Sequence, residues 1–308
     1  MLPMLPRPSG WRRRWGGWGD RRRNSSSEGG GGPCAAWWRG WCGCAQLLAD
    51  SPARLCPSTS FAGPPPRFEE EVVLTLATTT PGEPEIFASI QGEGPSAGRA
   101  TAFVRLSRCN LTCSWCDTAY TWKFIGEGSF DRTANQITLP EDNVASRIAA
   151  LGKSRLVITG GEPLLQAPAL ARMLALLPDI TVEVETNGTV APPAALAGLI
   201  HQYNVSPKLA HSGNPAALAL RPDALTQFAN NPSAWFKFVI ATPGDLDEVL
   251  ALAQTYTIPR ARIFLMPEGR DSTTLRARAK WLADICSENE LNFSDRLHIH
   301  LFGDTRGT

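Results

Sequence analysis

The chain has 308 residues, with 30 basic and 29 acidic side chains. This length allows one large domain or two small ones, and the near-neutral charge gives no support for a protein that binds polyanions. Eight cysteines are too few for a disulfide scaffold. No run of eighteen apolar residues occurs, so no helix that spans a membrane is predicted.

The first 66 residues differ in composition from the rest of the chain. They hold six of the ten tryptophans, runs of glycine, serine and proline, many arginines and no lysine, and they show no apolar period. Such a segment cannot form an ordinary core, so we predict a disordered, low-complexity extension over residues 1–70. Three interpretations stay open: an extension without a structural role that follows a start codon assigned too early, a targeting peptide, or an RNA-binding arm.

From about Val72, apolar segments rich in β-branched and aromatic residues alternate with helical patterns. The predicted strands are residues 101–107, 155–160, 180–186, 234–240, 262–267 and 296–303. The predicted helices are residues 140–151, 168–177, 192–202, 245–255 and 273–288. This alternation favours a parallel sheet with helices outside, either open or curled into a barrel.

Short polar motifs follow several of the predicted strands. They are residues 159–163 (TGGEP), 185–188 (ETNG), 206–208 (SPK) and 266–269 (MPEG). Because the carboxyl ends of parallel strands share one edge, we expect these motifs to converge there. A loop rich in cysteine follows the strand at residues 101–107 and should join them.

That loop contains Cys109, Cys113 and Cys116, three thiols within eight residues. A structural zinc site normally takes four Cys or His ligands, whereas an iron–sulfur cube takes one thiolate per iron. Three thiolates would leave one iron open to bind and reduce a small molecule. The isolated Cys286 lies in a predicted helix and suits a buried hydrophobic role instead.

Several motifs resemble known families. The segment CNLTCSWCDT at residues 109–118 resembles the cluster loop of the radical S-adenosylmethionine (SAM) superfamily, and TGGEP resembles its glycine-rich SAM segment. Four more resemble the 7-carboxy-7-deazaguanine synthase family: residues 85–98 (EIFASIQGEGPSAG), 182–189 (VEVETNGT), 204–209 (NVSPKL) and 297–308 (LHIHLFGDTRGT). The resemblance implies a catalytic domain at residues 83–308. It implies an α/β fold, an incomplete TIM-like (β/α) barrel of the radical SAM type.

The resemblance implies a lyase that converts 6-carboxy-5,6,7,8-tetrahydropterin to 7-carboxy-7-deazaguanine with loss of ammonia, in queuosine and 7-deazapurine biosynthesis. Its implied cofactors are a 4Fe-4S cluster, SAM and Mg2+. An electron from the cluster would cleave SAM, and the resulting 5′-deoxyadenosyl radical would take a hydrogen from the pterin. A homodimer, an electron donor such as flavodoxin or ferredoxin, and a cytoplasmic location are also implied, with no membrane or nucleic-acid partner. The N-terminal extension leaves targeting open.

The implied roles fall on matching residues of this chain. The cluster ligands are Cys109, Cys113 and Cys116. The SAM-binding residues are Trp115, Cys116, Asp117, Gly161, Glu162, Ser206, Pro207, Lys208, Met266, Pro267 and Glu268. The substrate residues are Ile90, Gln91, Gly92, Glu93, Arg105 and Thr159. Thr118 would bind Mg2+ through its hydroxyl, which is credible because magnesium keeps several waters and needs few protein ligands.

Each of these residues also has an ordinary structural interpretation. Arg105 could be a surface arginine of a strand, Thr118 could cap a turn through its hydroxyl, and Lys208 could be a solvated charge. His300 either approaches the substrate or is structural, and the structural role is favoured. Three rival functions remain. They are another small radical SAM enzyme such as a glycyl-radical activase, a structural-metal or redox-sensing module, and a Trp/Arg-rich RNA binder.

Overall fold

The computed structural model describes residues 73–308, so the extension predicted at residues 1–70 lies outside them. The described part is an eleven-stranded sheet with helices packed against it. The strands are β1 (Val73–Thr80), β2 (Glu83–Pro84), β3 (Ile86–Ile90), β4 (Ala100–Leu106), β5 (Gln136–Pro140), β6 (Arg155–Gly160), β7 (Thr181–Thr186), β8 (Gln202–Val205), β9 (Ala234–Ile240), β10 (Ile263–Pro267) and β11 (Asn292–Phe293). The first strand begins upstream of residue 83, where the sequence resemblance starts.

Most of the helices follow one strand and precede the next along the chain. They are α1 (Arg132–Asn135), α2 (Glu141–Ala150), α3 (Ala167–Ala175), α4 (Ala216–Ala219), α5 (Pro222–Asn230), α6 (Asp245–Thr255), α7 (Ser272–Asn289) and α8 (Leu297–Phe302). The carboxylate of Asp271 accepts from the backbone nitrogens of Thr273 and Thr274 at 3.0 and 2.9 Å, which fixes the start of α7. Within the described residues no helix has the length and apolarity needed to cross a membrane.

The order of the strands is β11-β10-β9-β8-β7-β6-β4-β1-β2. Neighbours from β4 to β11 are parallel. The antiparallel strands β1, β2, β3 and β5 extend the sheet beyond β4. Strands β2 and β11 end the order without pairing with each other in residues 73–308, so the barrel is incomplete. The α/β fold and the partial barrel predicted from sequence are confirmed.

Alternate side chains of the parallel strands face opposite sides of the sheet. On β7, Val182 and Val184 point into the hydrophobic core, whereas Glu185 lines a cavity on the opposite face of the sheet. Strand β9 repeats this pattern, with Phe236 fully buried in the core and Lys237 at the cavity. Full burial of such an apolar side chain stabilises the fold by about 1.5–3 kcal/mol. The other face of the sheet is therefore free to carry polar residues.

Two predictions from sequence are wrong. Residues 296–303 were expected as a strand but form helix α8, in which only Ile299 is buried; the alternating pattern of LHIHLF does not require a strand when a single turn can bury one side chain. Residues 192–202 were expected as a helix. They form a short 3-10 turn at Ala194–Leu196 and end at β8, because Pro193 is extended and Gly198 has φ of +76°.

Candidate active site

A cavity of about 390 Å3 lies at the carboxyl ends of the parallel strands. The structure brings nearly all of the site residues predicted from sequence into its wall. Those that line the cavity are Ile90, Gln91, Gly92, Glu93, Arg105, Cys109, Cys113, Trp115, Cys116, Asp117, Thr118, Thr159, Gly161, Ser206, Lys208, Met266, Pro267 and Glu268. Glu162 and Pro207 are buried but do not line it. His300 also lies outside the lining and contacts Ser272 and Asp295 instead.

The cysteine loop packs directly on the glycine pair that follows β6. A Cβ at Gly161 would lie 2.0 Å from the carbonyl oxygen of Arg108, and one at Gly160 would lie 2.0 Å from the carbonyl oxygen of Leu106. Gly160 also has φ of +135°, a conformation that favours glycine. The backbone nitrogen of Glu162 donates to the Arg108 carbonyl at 2.8 Å. Any larger residue at either glycine would displace the start of the cysteine loop.

The three thiols of this loop are half-buried and form no disulfide. Burial raises the pKa of the Cys109 thiol to about 11 and also raises that of Cys113. No three His, Cys, Asp or Glu side chains of residues 73–308 converge as the ligands of a single metal ion would. Three separate sulfurs in one cavity wall fit a cluster, which takes one thiolate on each of several irons. Binding iron would deprotonate the thiols despite their burial.

Glu162 is fully buried beneath the glycine pair. Its carboxylate accepts from the backbone nitrogens of Leu164 at 3.0 Å and Asn187 at 2.7 Å, and from the hydroxyl of Thr186 at 2.9 Å. Burial raises the pKa of this carboxyl, and the hydrogen bonds oppose that rise. The carboxylate thus joins the TGGEP segment to the ETNG segment from outside the cavity, whereas Gly160 and Gly161 line the cavity itself.

The wall beside the cysteine loop carries residues suited to hold SAM. The ring of Trp115 lines the cavity, and its buried indole nitrogen has no acceptor in the described part of the chain. Lys208 lies 5.5 Å from the centre of the Trp115 ring and donates to the Ser206 hydroxyl at 2.9 Å. Lys208 is therefore held against the site and is not simply a solvated charge.

Thr118 lies beside the cysteine loop with its hydroxyl uncommitted to a cap. It precedes a 3-10 turn at Ala119–Thr121, but its side chain makes no capping hydrogen bond. Its hydroxyl oxygen lies 3.7 Å from the Cys116 sulfur, a marginal contact. The interpretation as a turn cap through the hydroxyl is therefore wrong, and the oxygen is available to a ligand in the cavity.

Arg105 is held by Glu85, which Tyr120 orients in turn, and the sequence analysis assigned neither residue a role. Its Nε donates to one carboxylate oxygen of Glu85 at 2.8 Å, and the hydroxyl of Tyr120 donates to the other at 2.8 Å. Burial alone would lower the pKa of Arg105, but the buried carboxylate of Glu85 raises it above its ordinary value. The two terminal nitrogens of Arg105 make no hydrogen bond with residues 73–308, so they can meet a carboxylate in the cavity.

A buried group of charged side chains forms another part of the cavity wall. Glu93 accepts from Lys237 and from the Nε of Arg296, the latter at 3.0 Å. Arg296 also donates to the carbonyl of Gly269 at 2.6 Å and to the carboxylate of Asp117. Burial alone would raise the pKa of Glu93, but Lys237 and Arg296 lower it well below its ordinary value. One guanidinium therefore joins three segments that line the cavity.

Glycine is required at position 92 by the packing of helix α8. A Cβ there would lie 2.2 Å from Nδ1 of His298 and 2.8 Å from its backbone nitrogen. The Gly92 carbonyl accepts from the backbone nitrogen of Leu297 at 3.0 Å. His298 lines the cavity, and burial lowers its pKa. Its imidazole is therefore neutral near pH 7, when it can donate and accept a hydrogen bond.

Glu185 lies between two residues that the sequence analysis assigned to the substrate. One of its oxygens accepts from the Thr159 hydroxyl at 2.7 Å, and the other accepts from the Gln91 amide at 3.2 Å. The sequence analysis expected the ETNG motif at this edge but assigned Glu185 no role, and it missed Lys237 and Arg296. The available signal was the presence of charged residues at alternate positions inside otherwise apolar strands, in VEVET and AWFKFVI.

The chain is similar to proteins of established name. A family model described as the Radical SAM superfamily matches residues 104–208. The 7-carboxy-7-deazaguanine synthase of Pyrobaculum aerophilum is 36% identical over 225 residues, which cover 72% of this chain and 95% of the relative. The synthase of Hyperthermus butylicus is 38% identical over 221 residues, covering 70% and 90%. The crystal structure of QueE from Escherichia coli covers 73% of this chain and 95% of its own with a TM-score of 0.55; at 23% identity, it supports the fold.

Proposed function

The chain belongs to the 7-carboxy-7-deazaguanine synthase family of the radical SAM superfamily, and from this membership we propose that it catalyses that family's reaction. It converts 6-carboxy-5,6,7,8-tetrahydropterin to 7-carboxy-7-deazaguanine with loss of ammonia, in queuosine and 7-deazapurine biosynthesis. The loss of ammonia places it among the lyases. Residues 83–308 are its catalytic domain. The observation that carries the proposal is that the cysteine loop, Gly161 and Arg105 line the same cavity.

The cofactors are a 4Fe-4S cluster and SAM. When bound, they supply the radical that takes a hydrogen atom from the substrate. Cys109, Cys113 and Cys116, which are half-buried in the cavity wall, would hold the cluster. The backbone at Gly161 would allow the amino group of SAM a close approach, Lys208 would lie near its ribose and carboxylate, and the Trp115 stretch would lie against its adenine end. Glu162 does not line the cavity; its hydrogen bonds stabilise the turn that carries Gly161.

The substrate has two recognisable ends. Its carboxylate suits the two terminal nitrogens of Arg105, which form a planar pair of donors. Its aminopyrimidine ring presents N–H donors, and the carboxylate of Glu185 offers acceptors beside Thr159 and Gln91. Arg105 and Glu185 thereby orient the pterin by opposite charges at its two ends.

Thr118 would hold Mg2+ through its hydroxyl oxygen, which is possible because magnesium needs few protein ligands. The hydroxyl makes no capping bond, which supports this role. We further propose a homodimer, an electron donor of the flavodoxin or ferredoxin class, and a cytoplasmic location. These assignments follow from family membership rather than from the geometry of the cavity.

Anaerobic incubation tests the proposal directly. The protein is reconstituted with iron and sulfide, then supplied with 6-carboxytetrahydropterin, SAM, Mg2+ and a reductant, and the products are identified by mass spectrometry. We expect about four irons per chain and formation of 7-carboxy-7-deazaguanine. Cys113→Ala should lack both, whereas Cys286→Ala, which removes a buried thiol outside the cavity, should keep both.

The outcomes separate the rival functions. Normal product from Cys113→Ala would refute the assignment of the cluster ligands. SAM cleavage without conversion of the pterin would favour another radical SAM enzyme, such as a glycyl-radical activase. One zinc per chain, with no cluster and no SAM-dependent spectral change, would favour a structural or redox-sensing module.

A further inference from the structure

Each cysteine sulfur in the cavity has one nitrogen donor from outside the cysteine loop. Asn214 Nδ2 lies 3.2 Å from Cys113 Sγ, Trp122 Nε1 lies 3.4 Å from Cys116 Sγ, and Asn187 Nδ2 lies 3.9 Å from Cys109 Sγ. Asn214 and Asn187 follow strands β8 and β7, so the fold brings them to the cysteines, whereas Trp122 lies six residues after Cys116 in the connection that carries the cysteine loop. The first two distances are those of N–H···S hydrogen bonds, and the third is longer and weaker.

The orientation of the Asn214 amide is fixed by a backbone group. The backbone nitrogen of Thr112 donates to Asn214 Oδ1 at 2.9 Å. Because a backbone N–H can only donate, this contact assigns the amide oxygen, and the amide nitrogen must then face Cys113 and the Ser212 hydroxyl. The same reasoning holds for Asn187, whose Oδ1 accepts from the backbone nitrogen of Thr189 at 2.9 Å.

Trp122 has no alternative role for its indole nitrogen. An indole N–H is a donor only, and its acceptor among the described residues is the Cys116 sulfur. The backbone nitrogen of Trp122 donates to the Ala119 carbonyl at 3.1 Å, which ties the residue to the 3-10 turn after the cysteine loop. The ring also lines the cavity. The indole is thus placed to act on the sulfur without being a ligand.

We propose that Asn214 and Trp122 raise the reduction potential of the cluster by donating N–H···S hydrogen bonds to two of its thiolate ligands, with a weaker contribution from Asn187. One-electron reduction adds a negative charge that is shared with the sulfurs, so an N–H donor stabilises the reduced form more than the oxidised form. The electron comes from a low-potential donor of the flavodoxin class, or from dithionite in vitro. This inference rests on the proposed cluster, and both residues are positioning residues for its ligands.

Two substitutions remove the donors with little change in shape. Trp122→Phe keeps an aromatic ring and deletes the N–H. Asn214→Asp keeps the oxygen that accepts from Thr112 and replaces the donor by an oxygen that carries negative charge. Trp235→Phe is the matched control, because Trp235 lies on β9, packs edge-to-face on Phe264 and does not line the cavity.

The reconstituted holoproteins are poised at a series of solution potentials, and the amount of reduced cluster at each potential is measured by electron paramagnetic resonance. At a fixed potential, Trp122→Phe should lower the ratio of reduced to oxidised cluster roughly tenfold, which is about 59 mV for one electron. Asn214→Asp should lower it further, and Trp235→Phe should match the wild type.

Iron and sulfide content separates the possible failures. If the wild type does not load about four irons, the proposed function fails and this inference falls with it. If both donor variants load fully and titrate at the wild-type potential, the donor role alone is overturned. If a variant does not take up the cluster, the wild type is labelled with 15N in its tryptophan and asparagine side chains instead. The reduced cluster is then examined by pulsed electron paramagnetic resonance. Coupling of those nitrogens to the reduced cluster supports the proposal, and its absence overturns it.

Discussion

Replacing Glu93 with Gln removes the negative charge that Lys237 and Arg296 share inside the protein. Removal of one partner of a buried ion pair typically costs about 3–5 kcal/mol. The amide oxygen of Gln still accepts from Arg296, and Asp117 remains as a second anion on that guanidinium. We therefore expect the lower end of the range, a loss of about 3 kcal/mol in the free energy of unfolding at neutral pH.

The loss should depend on pH with a defined sign. The charged groups that face Glu93 are Lys237, Arg296, His298 and the more distant Asp117. Lys237 and Arg296, with His298 when it is protonated, hold the pKa of Glu93 below its ordinary value near 4.5, and the negative charge of Asp117 opposes them. The carboxylate therefore stabilises the fold above about pH 4.5, and this contribution is lost as the pH falls toward the folded-state value. The difference between wild type and variant should shrink by about 2 kcal/mol between pH 4.5 and pH 3, because one proton contributes about 1.4 kcal/mol per pH unit.

Urea unfolding of the cluster-free proteins, followed by circular dichroism, measures this difference. The cluster is omitted because metal binding is itself pH-dependent. Glu127→Gln is the control, since Glu127 is exposed in the loop after the cysteines, and it should change stability by less than about 0.5 kcal/mol. A Glu93→Gln loss below about 1 kcal/mol, or one that is constant down to about pH 3, would refute the reasoning.

Three further outcomes are expected. Thr118→Ala should raise the Mg2+ concentration for half-maximal turnover about tenfold or more while SAM still binds; an unchanged Mg2+ titration would contradict the metal assignment. Gly92→Ala places a Cβ 2.2 Å from His298 Nδ1, so it should destabilise the protein by about 1–3 kcal/mol and raise the KM for the pterin, measured by thermal unfolding and steady-state kinetics. Deletion of residues 1–70 leaves β1 whole and should leave turnover and melting temperature unchanged; a truncated protein that is folded but inactive would show that the extension takes part in catalysis.

The central strands could be predicted from sequence because their patterns are unambiguous. Strands β6 and β9 begin and end where the sequence analysis placed them, since both faces are covered and the apolar runs are bounded by polar loops. The sequence analysis placed the SPK motif after a strand but gave that strand, β8, no bounds, because β8 has only four residues and the preceding Pro192 and Pro193 suggested a helix start. Helix α8 was missed because six residues with one buried side chain carry too little periodicity to separate helix from strand.

The site was predictable where a ligand-binding residue sits in a local motif. The cysteine loop and the glycine pair are such motifs, and their residues line one cavity. The partners that orient those residues were not predictable, because they are remote in sequence. Glu85 lies 20 residues from Arg105, and Arg296 lies 203 residues from Glu93. Pairing over such separations is decided by the order of the strands, which a single sequence does not contain.

The guanidinium of Arg296 has a consequence for how ligands influence one another. It donates to Glu93, Gly269 and Asp117, which belong to three separate stretches of the wall. A small molecule that shifts any one stretch must alter the hydrogen bonds of the other two. Occupancy by one ligand should thus change the affinity for the next, and the effect must be equal in both directions because binding free energies are linked around a closed cycle.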